Sequence, residues 1–426
     1  MIAHRAAAAV RPTPAWVRAH HSVVLPAFWL LVLLLVAGGW QVVSMIRVGA
    51  GAYPLATALA IGLFALYAVP FVLVARSLDY FEREPPPLVL AAFGWGGLVA
   101  TAVAVRADAA GHDLLAKLVS ARFATVWGPA LTGPSIEEPV KVLGVVVLVL
   151  IAGRQINSVV DGFVYGAFVG LGFQVVENVM YAVNAVALAG RGDRVGPVIA
   201  VFLLRGFLGG LWSHTLFSAL AGAGVAYWVL HPNRRGFALF AAAQAGAWGF
   251  HALWNSPWLA DGFGYGIPGV LAALLLKGTP ALLVILLLVR SAGRREAGYY
   301  LRKLVGEPKV ATERELAALA TGGTRFAARR FAYVRGGRRL AGYVRRLQRA
   351  QARLALDLSR DLPARAAEHR AEALAMRQWL EAKGHPEAYA PGNSGAAGGW
   401  FWAAGCVGAA ALAVLVAAAI RALGGG

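Results

Sequence analysis

SIEEPVKVLGVVVLVLIA, residues 135–152, is a stretch that a bilayer would accept whole but for the Glu137, Glu138 and Lys141 that open it. Charged groups in hydrocarbon cost a few kcal/mol each, so those retained there face the interior of a helix bundle, pair with one another or serve a function. The run therefore reads as a membrane span with a polar end turned inward.

Working outward, eight further apolar stretches approach the roughly 20 residues that cross about 30 Å of hydrocarbon. The nine spans expected are Val24–Ile46, Pro54–Arg76, Leu88–Arg106, Ile136–Ala152, Val159–Ala189, Pro197–Leu230, Gly236–Trp258, Pro268–Arg290 and Gly399–Ala419. Composition agrees, with 59% hydrophobic and 14% charged residues and a mean hydropathy of +0.62, far from the balance of a soluble domain. The fold class expected is all-α: a polytopic transmembrane helix bundle of about nine spans, eight in the core, with a small basic helical cytosolic region.

Charge sets the expected orientation. Cytoplasmic loops collect Lys and Arg, so an inside amino terminus bearing Arg5, Arg11 and Arg18 puts Arg154, Arg234, Arg235 and everything after Arg290 inside as well. The domains expected are a cytosolic segment 1–23, a core 24–290, a basic region and linker 291–395, and an anchor 399–421. No removable signal peptide is evident, and the first span reads as a retained signal anchor in a multi-pass protein of a prokaryotic plasma membrane.

The excess of Lys and Arg, 40 against 21 Asp and Glu, would suggest nucleic acid in a soluble protein; here topology explains it, and no nucleic-acid partner is expected. Between Ser291 and Gly395 there are 21 Lys and Arg against 10 Asp and Glu. Helical periodicity is expected over Glu313–Thr321, Arg325–Arg360 and Pro363–Lys383. The basic 294–383 region reads as a solvated face near the inner leaflet, with anionic lipid headgroups as its natural partner. The oligomeric state is not legible. Cys406, the single cysteine, rules out an internal disulfide and cysteine-ligated zinc.

Ionisable and polar residues concentrate in four consecutive spans. The fourth opens with Glu137, Glu138 and Lys141, the fifth carries Glu177 and Asn178, the sixth His214 and Ser218, and the seventh His251 and Asn255. At i,i+4 and i,i+3 the lysine can neutralise either glutamate; alternatively Ser135-x-x-Glu138 is a capping box that merely starts the helix. Glu177 has no cation near it in sequence, and its structural alternative is a helix-pairing bond to Asn178, Tyr181 or Arg205. Carboxylates with imidazoles on neighbouring spans form the set that water activation requires.

Depth is a check. His251 lies about 22 Å from the inner end of its span, level with Glu137 and Glu138, whereas His214 reckoned from Pro197 falls about 26 Å down. That is deeper than the others unless spans five and six, each over thirty residues, overhang or tilt. Gly162, Gly166, Gly170 and Gly172, with Gly206, Gly209 and Gly210, give small-xxx-small spacings that let those two spans pack closely. The segment Ala107–Gly133, with His112, reads as an outer loop or interfacial helix.

Glu137-Glu138-x-x-Lys141, Phe173-x-x-x-Glu177-Asn178, His214-x-x-x-Ser218 and His251-x-x-x-Asn255, in this order on separate spans, resemble the PrsW intramembrane proteases. That family is related to the type II CAAX prenyl endopeptidases and to the APH subunit of γ-secretase. The likeness covers spans two to eight. It implies hydrolysis of a peptide bond in a membrane-anchored, anti-sigma-factor-like substrate, a site-1 type cut in the outer half of the bilayer. It also implies Glu137 as general base, His251 and Asn255 as oxyanion donors, His214 or Glu177 as the second water-activating group, and Lys141, Asn178, Ser218 and Arg205 in support.

The chain lacks His-Glu-x-x-His. Metal-free glutamate catalysis is the expectation, with no cofactor; a divalent ion such as zinc, if used, would take His214, His251 and Glu177. The alternatives are a catalytically silent scaffold or assembly subunit, and a proton-coupled transporter, for which no repeated halves are evident.

Overall fold

The structure, a computed structural model, describes residues 24–210 and 213–385. The amino-terminal segment 1–23, the Pro391–Gly399 linker, the ninth span Gly399–Ala419 and Cys406 lie outside the described residues. Those described are helical, with no strand among them. They form two compact units: residues 24–75 with Glu84–Leu288, and Arg76–Arg83 with residues 289–385.

The first unit contains α1 (Pro26–Ala52), most of α2 (Pro54–Leu78), α3 (Pro86–Leu118), α4 (Ala121–Ala152), α5 (Val159–Ala189), α6 (Gly196–Leu208), α7 (His214–Leu230), α8 (Arg234–Asn255) and the first part of α9 (Gly266–Val305). Five of these helices, α1, α2, α3, α5 and α9, are long and apolar enough to cross a membrane. Helix α4 has the length but carries Glu137, Glu138 and Lys141 in its middle, and α8 starts on Arg234 and Arg235.

Helix α5 is the hub, buried along most of its length. It starts at a reciprocal cap in which Ser158 and Asp161 satisfy one another's backbone N–H groups. Glycine brings two helices against it. A Cβ on Gly162, Gly166 or Gly170 would stand 2.3, 2.1 or 2.2 Å from the carbonyl oxygens of Gly222, Ser218 and His214 in turn, so α7 runs antiparallel along α5 with backbones nearly touching. On another face Gly172 meets the Phe93 carbonyl in the same way. The close packing expected for this pair is therefore made by Gly162, Gly166 and Gly170; a Cβ on Gly206 would make only ordinary van der Waals contacts, with Phe202, Phe64 and Tyr67.

Three expectations are corrected. Pro197–Leu230 is not one long span: α6 ends in a π-helical turn over Phe202–Leu208, and a new helix starts at His214. Two glycines, Gly209 and Gly210, lie at that break, where side chains no longer favour continuation of the helix. Ser135 does not cap a helix start, because α4 begins fifteen residues earlier at the Ser120 cap and runs through Pro129, Pro134 and Pro139. The Ala107–Gly133 segment is neither loop nor separate helix; it is the end of α3, a short turn and the first turns of α4.

The second unit has its own apolar core around Phe81, Tyr300, Leu304, Leu319, Leu347 and Leu354. It holds the end of α9, α10 (Glu313–Leu319), α11 (Gly322–Ser359) and α12 (Pro363–Ala382). Helix α11 is folded at Gly336 and Gly337, the latter at φ 67°, so that Arg329 donates to Gln348 at 2.7 Å across a helical hairpin. Arg330, Arg335, Arg338, Arg339, Arg345, Arg346 and Arg349 are exposed, as are Tyr333 and Val334.

Candidate active site

Short loops join α4 to α5 and α7 to α8, and the four site-bearing helices can be measured from the ends those loops connect. At 1.5 Å per residue Glu137 lies about 22 Å from Ala152, Glu177 about 27 Å from Val159, His214 about 24 Å from Leu230 and His251 about 26 Å from Arg234. All four sit at one level. The break before α7 removes the apparent excess depth of His214, which stands in the first turn of a fresh helix.

Lys141 is the centre of the cluster. Its Nζ lies 2.7 Å from Glu137 Oε2, 3.1 Å from Glu138 Oε1 and 2.9 Å from His214 Nδ1, with the Phe173 ring 3.8 Å away. An ammonium has three hydrogens, and each has an acceptor here. His214 Nδ1 must then accept, so its Nε2 carries the proton and donates to Glu177 Oε2 at 3.1 Å. Glu177 also takes Arg205 Nη2 at 2.6 Å, and Arg205 Nε donates to Asn178 Oδ1 at 2.8 Å while its guanidinium stacks on Tyr181. A buried charge is tolerated when paired and hydrogen-bonded on all sides, and Lys141, 1% exposed, meets that condition.

Behind this chain Glu138 Oε1 bonds His251 Nδ1 at 2.9 Å. His251 is wholly buried, stacks on Phe217 and meets the His214 ring edge-on at 4.8 Å. Its Nε2, Glu138 Oε2, Asn178 Nδ2 and the Ser218 hydroxyl have no hydrogen-bond partner. The cluster of Glu137, Glu138, His214, His251, Glu177, Lys141, Asn178 and Arg205 is thus brought together by four helices and the π-helical turn of α6.

A cavity of about 450 Å³ opens on one side, and Glu137, Glu177, His214, Asn178, Arg205 and Asn255 line it. Glu138 and His251 are not on its wall. Asn255 Nδ2 donates to the Pro129 carbonyl at 3.1 Å, and an added methyl on Gly133 would stand 3.3 Å from Glu137 Oε1 and 3.7 Å from Asn255 Nδ2, so glycine leaves both groups room at the cavity.

Three contributors carry no role in the reading of the sequence. Asp108, on the cavity wall, is close enough for its carboxyl to interact with Glu137. Gln174 fixes the break before α7: its Oε1 accepts from Thr215 Oγ1 at 2.9 Å and its Nε2 donates to the Gly210 carbonyl at 3.2 Å and to the Tyr67 hydroxyl. Gln174 lies three residues before Glu177, an amide in an otherwise apolar stretch, and that was its signal. His112, noted without a role, also lines the cavity.

Residues 84–288 match the family model described as PrsW family intramembrane metalloprotease. This core of a membrane protein is similar to an intramembrane protease family. The matched segment holds every residue of the cluster and stops at the boundary of the second unit. The chain matches no curated protein and no solved structure.

The family description raises the question of a metal. One donor atom each from Glu137, Glu138, His214 and His251 lies within 4.8 Å of the others, a set that could hold a metal ion, and two imidazoles with two carboxylates suit zinc. Glu177, expected as a ligand, is instead committed to Arg205 and His214. Lys141 already bonds Glu137, Glu138 and His214. A cation among those atoms would displace the ammonium, so with Lys141 in this position the set does not fit one.

Proposed function

We propose that the core is an intramembrane endopeptidase in which Glu137 activates water against a peptide bond of a membrane-anchored protein. The observation that carries this reading is the unbroken hydrogen-bonded chain Glu137–Lys141–His214–Glu177, ending on a cavity at both carboxylates. One Glu137 oxygen is held by Lys141 and the other lies near Gly133, and the carboxyl, with Asp108 beside it, lines the cavity as a fixed base.

In the proposed reaction Glu137 takes a proton from water, the hydroxide oxygen bonds to the scissile carbonyl carbon, and the carbonyl becomes an oxyanion. Asn255, whose amide is at the cavity, donates to that oxyanion. Collapse breaks the C–N bond, and Glu137 returns its proton to the leaving amine. His214 holds Lys141 and Glu177 in register rather than acting as a separate base. His251 supports Glu138 from behind instead of serving as an oxyanion donor, since it has no face on the cavity. No step is routed through a metal.

With Arg154, Arg234 and Arg235 on the cytoplasmic side of a plasma membrane, the site lies in the outer half of the bilayer. The exposed arginines of α11, interleaved with Tyr333 and Val334, are assigned to anionic lipid headgroups of the inner leaflet.

The test is reconstitution of the full chain in vesicles with single-span peptides. Wild type should cleave, Glu137→Gln should lower the rate at least about a hundredfold without changing the melting temperature, and a chelator should have no effect. Cleavage by Glu137→Gln at the wild-type rate defeats the assignment of the base; loss of activity in chelator, restored by zinc, defeats the metal-free route.

A further inference from the structure

A second cavity, about 570 Å³, lies between α1, the start of α2, α3 and α5. Its walls are largely apolar, with Met45 and Val48 on one side and Val105, Met180 and Val183 facing them. Asp108, Glu177 and Tyr181 line both this cleft and the candidate active-site cavity, so the two spaces share that wall.

The outer wall is α1, which at this level meets α5 through Gly49, where a Cβ would stand 3.0 Å from Val183 Cγ1. Helix α1 is fastened to α3 near its middle, where a Cβ on Gly38 would stand 2.7 Å from the Leu98 carbonyl and Gln41 donates to the Ala102 carbonyl at 2.9 Å. The half of α1 that borders the cleft comes after that fastening, and Val48 there is 75% exposed.

The cleft is not uniformly greasy. Thr57, 2% exposed, lines it, and its hydroxyl has no hydrogen-bond partner; nor has Asp108 Oδ1 at the inner end. Buried polar atoms are nearly always satisfied, so two orphans on one apolar cleft point to a ligand with donors of its own. A helix must unwind before one of its peptide bonds can be attacked, and unwound backbone at membrane depth needs acceptors for its freed N–H groups. An acyl chain has no donors to offer. An apolar polypeptide has both the side chains for the walls and the N–H groups for Thr57 and Asp108.

We propose that this cleft receives the hydrophobic segment of the membrane-anchored substrate next to its scissile bond, and delivers it past Asp108, Glu177 and Tyr181 to Glu137. The inference rests on the protease reading above, and the experiment separates the two.

A photoreactive benzoylphenylalanine is placed at Val183 in full-length Glu137→Gln protein, in vesicles carrying a labelled single-span peptide. The expected result is a crosslink to the peptide that unlabelled peptide competes away. Crosslinks to lipid alone, in vesicles where wild type cleaves the same peptide, overturn the proposal. A competed peptide crosslink with no cleavage by wild type supports the cleft and defeats the protease reading instead. In kinetics, Val183→Trp and Thr57→Val should each raise KM about tenfold with a smaller effect on kcat, while Leu150→Trp, at an exposed position on α4, should leave KM alone. Unchanged KM in both cleft variants, with correct folding, also overturns it.

Discussion

Lys141 Nζ stands 2.9 Å from Nδ1 of His214, 73 residues away in the chain, and the same nitrogen holds Glu137 and Glu138. The lysine is the countercharge of two buried carboxylates and also fixes the tautomer of the imidazole. Lys141→Met, close in volume, should therefore destabilise the core by about 3–5 kcal/mol, because it strands buried charge without a partner. Thermal unfolding in detergent would register this as a large fall in melting temperature. Lys141→Arg should not restore activity, since a planar guanidinium cannot reproduce three diverging N–H bonds.

The α5–α7 contact sets where His214 stands, and a single methyl tests it. Gly166→Ala would press a Cβ to 2.1 Å from the Ser218 carbonyl, and overpacking of this kind costs about 1–3 kcal/mol. Both stability and peptide cleavage should fall. Gly249→Ala on α8 meets nothing within 4 Å and should be neutral or slightly stabilising, as alanine is a better helix former. Equal effects of the two substitutions would show that backbone contact is not what positions α7.

The site was legible in sequence to the extent that charge in an apolar run is conspicuous. Glu137, Glu138, Lys141, Glu177, His214 and His251 stand out for that reason, and all lie in one cluster. Their division of labour was not legible. Glu137 on the cavity wall and Glu138 behind it are neighbours in sequence, and only the three-dimensional packing of α4 against α8 separates them. The break at Gly209 and Gly210 was hidden because the residues on both sides are equally apolar. Asp108 escaped because it sits where α3 was expected to have left the bilayer.

Gln174 offers a way to ask whether that break matters. It links the carbonyl of Gly210 to Thr215, the residue after His214, and so acts on the reaction only through position. Gln174→Leu removes these bonds at similar volume, at a cost of about 1–3 kcal/mol for the polar groups left unpaired. A positioning role predicts that kcat falls at least about tenfold while KM changes little. A rise in KM alone would place Gln174 in substrate binding instead.

Within the second unit, Glu315 gives a pH dependence of defined sign. Burial pushes its carboxyl from the usual 4.5 up to about 7, against the lowering effects of the Thr312 backbone N–H, Arg377 and Gln351. Between those values the folded unit keeps a proton that the unfolded chain has released, so stability falls as pH rises. Below 4.5 both states are protonated and the effect is absent; above 7 the unit is less stable by about 3 kcal/mol, at 1.36 kcal/mol per pH unit. Glu315→Gln keeps an acceptor for Thr312 and cannot ionise, so it should be the more stable form at pH 8 and close to wild type at pH 4.5. Hydrogen exchange of the α10–α12 amides in the full chain, corrected for intrinsic rates, measures both. The difference between variant and wild type isolates Glu315 from the rest of the unit. A difference that does not grow from pH 4.5 to pH 8 would mean that the carboxyl ionises inside the fold as freely as in water.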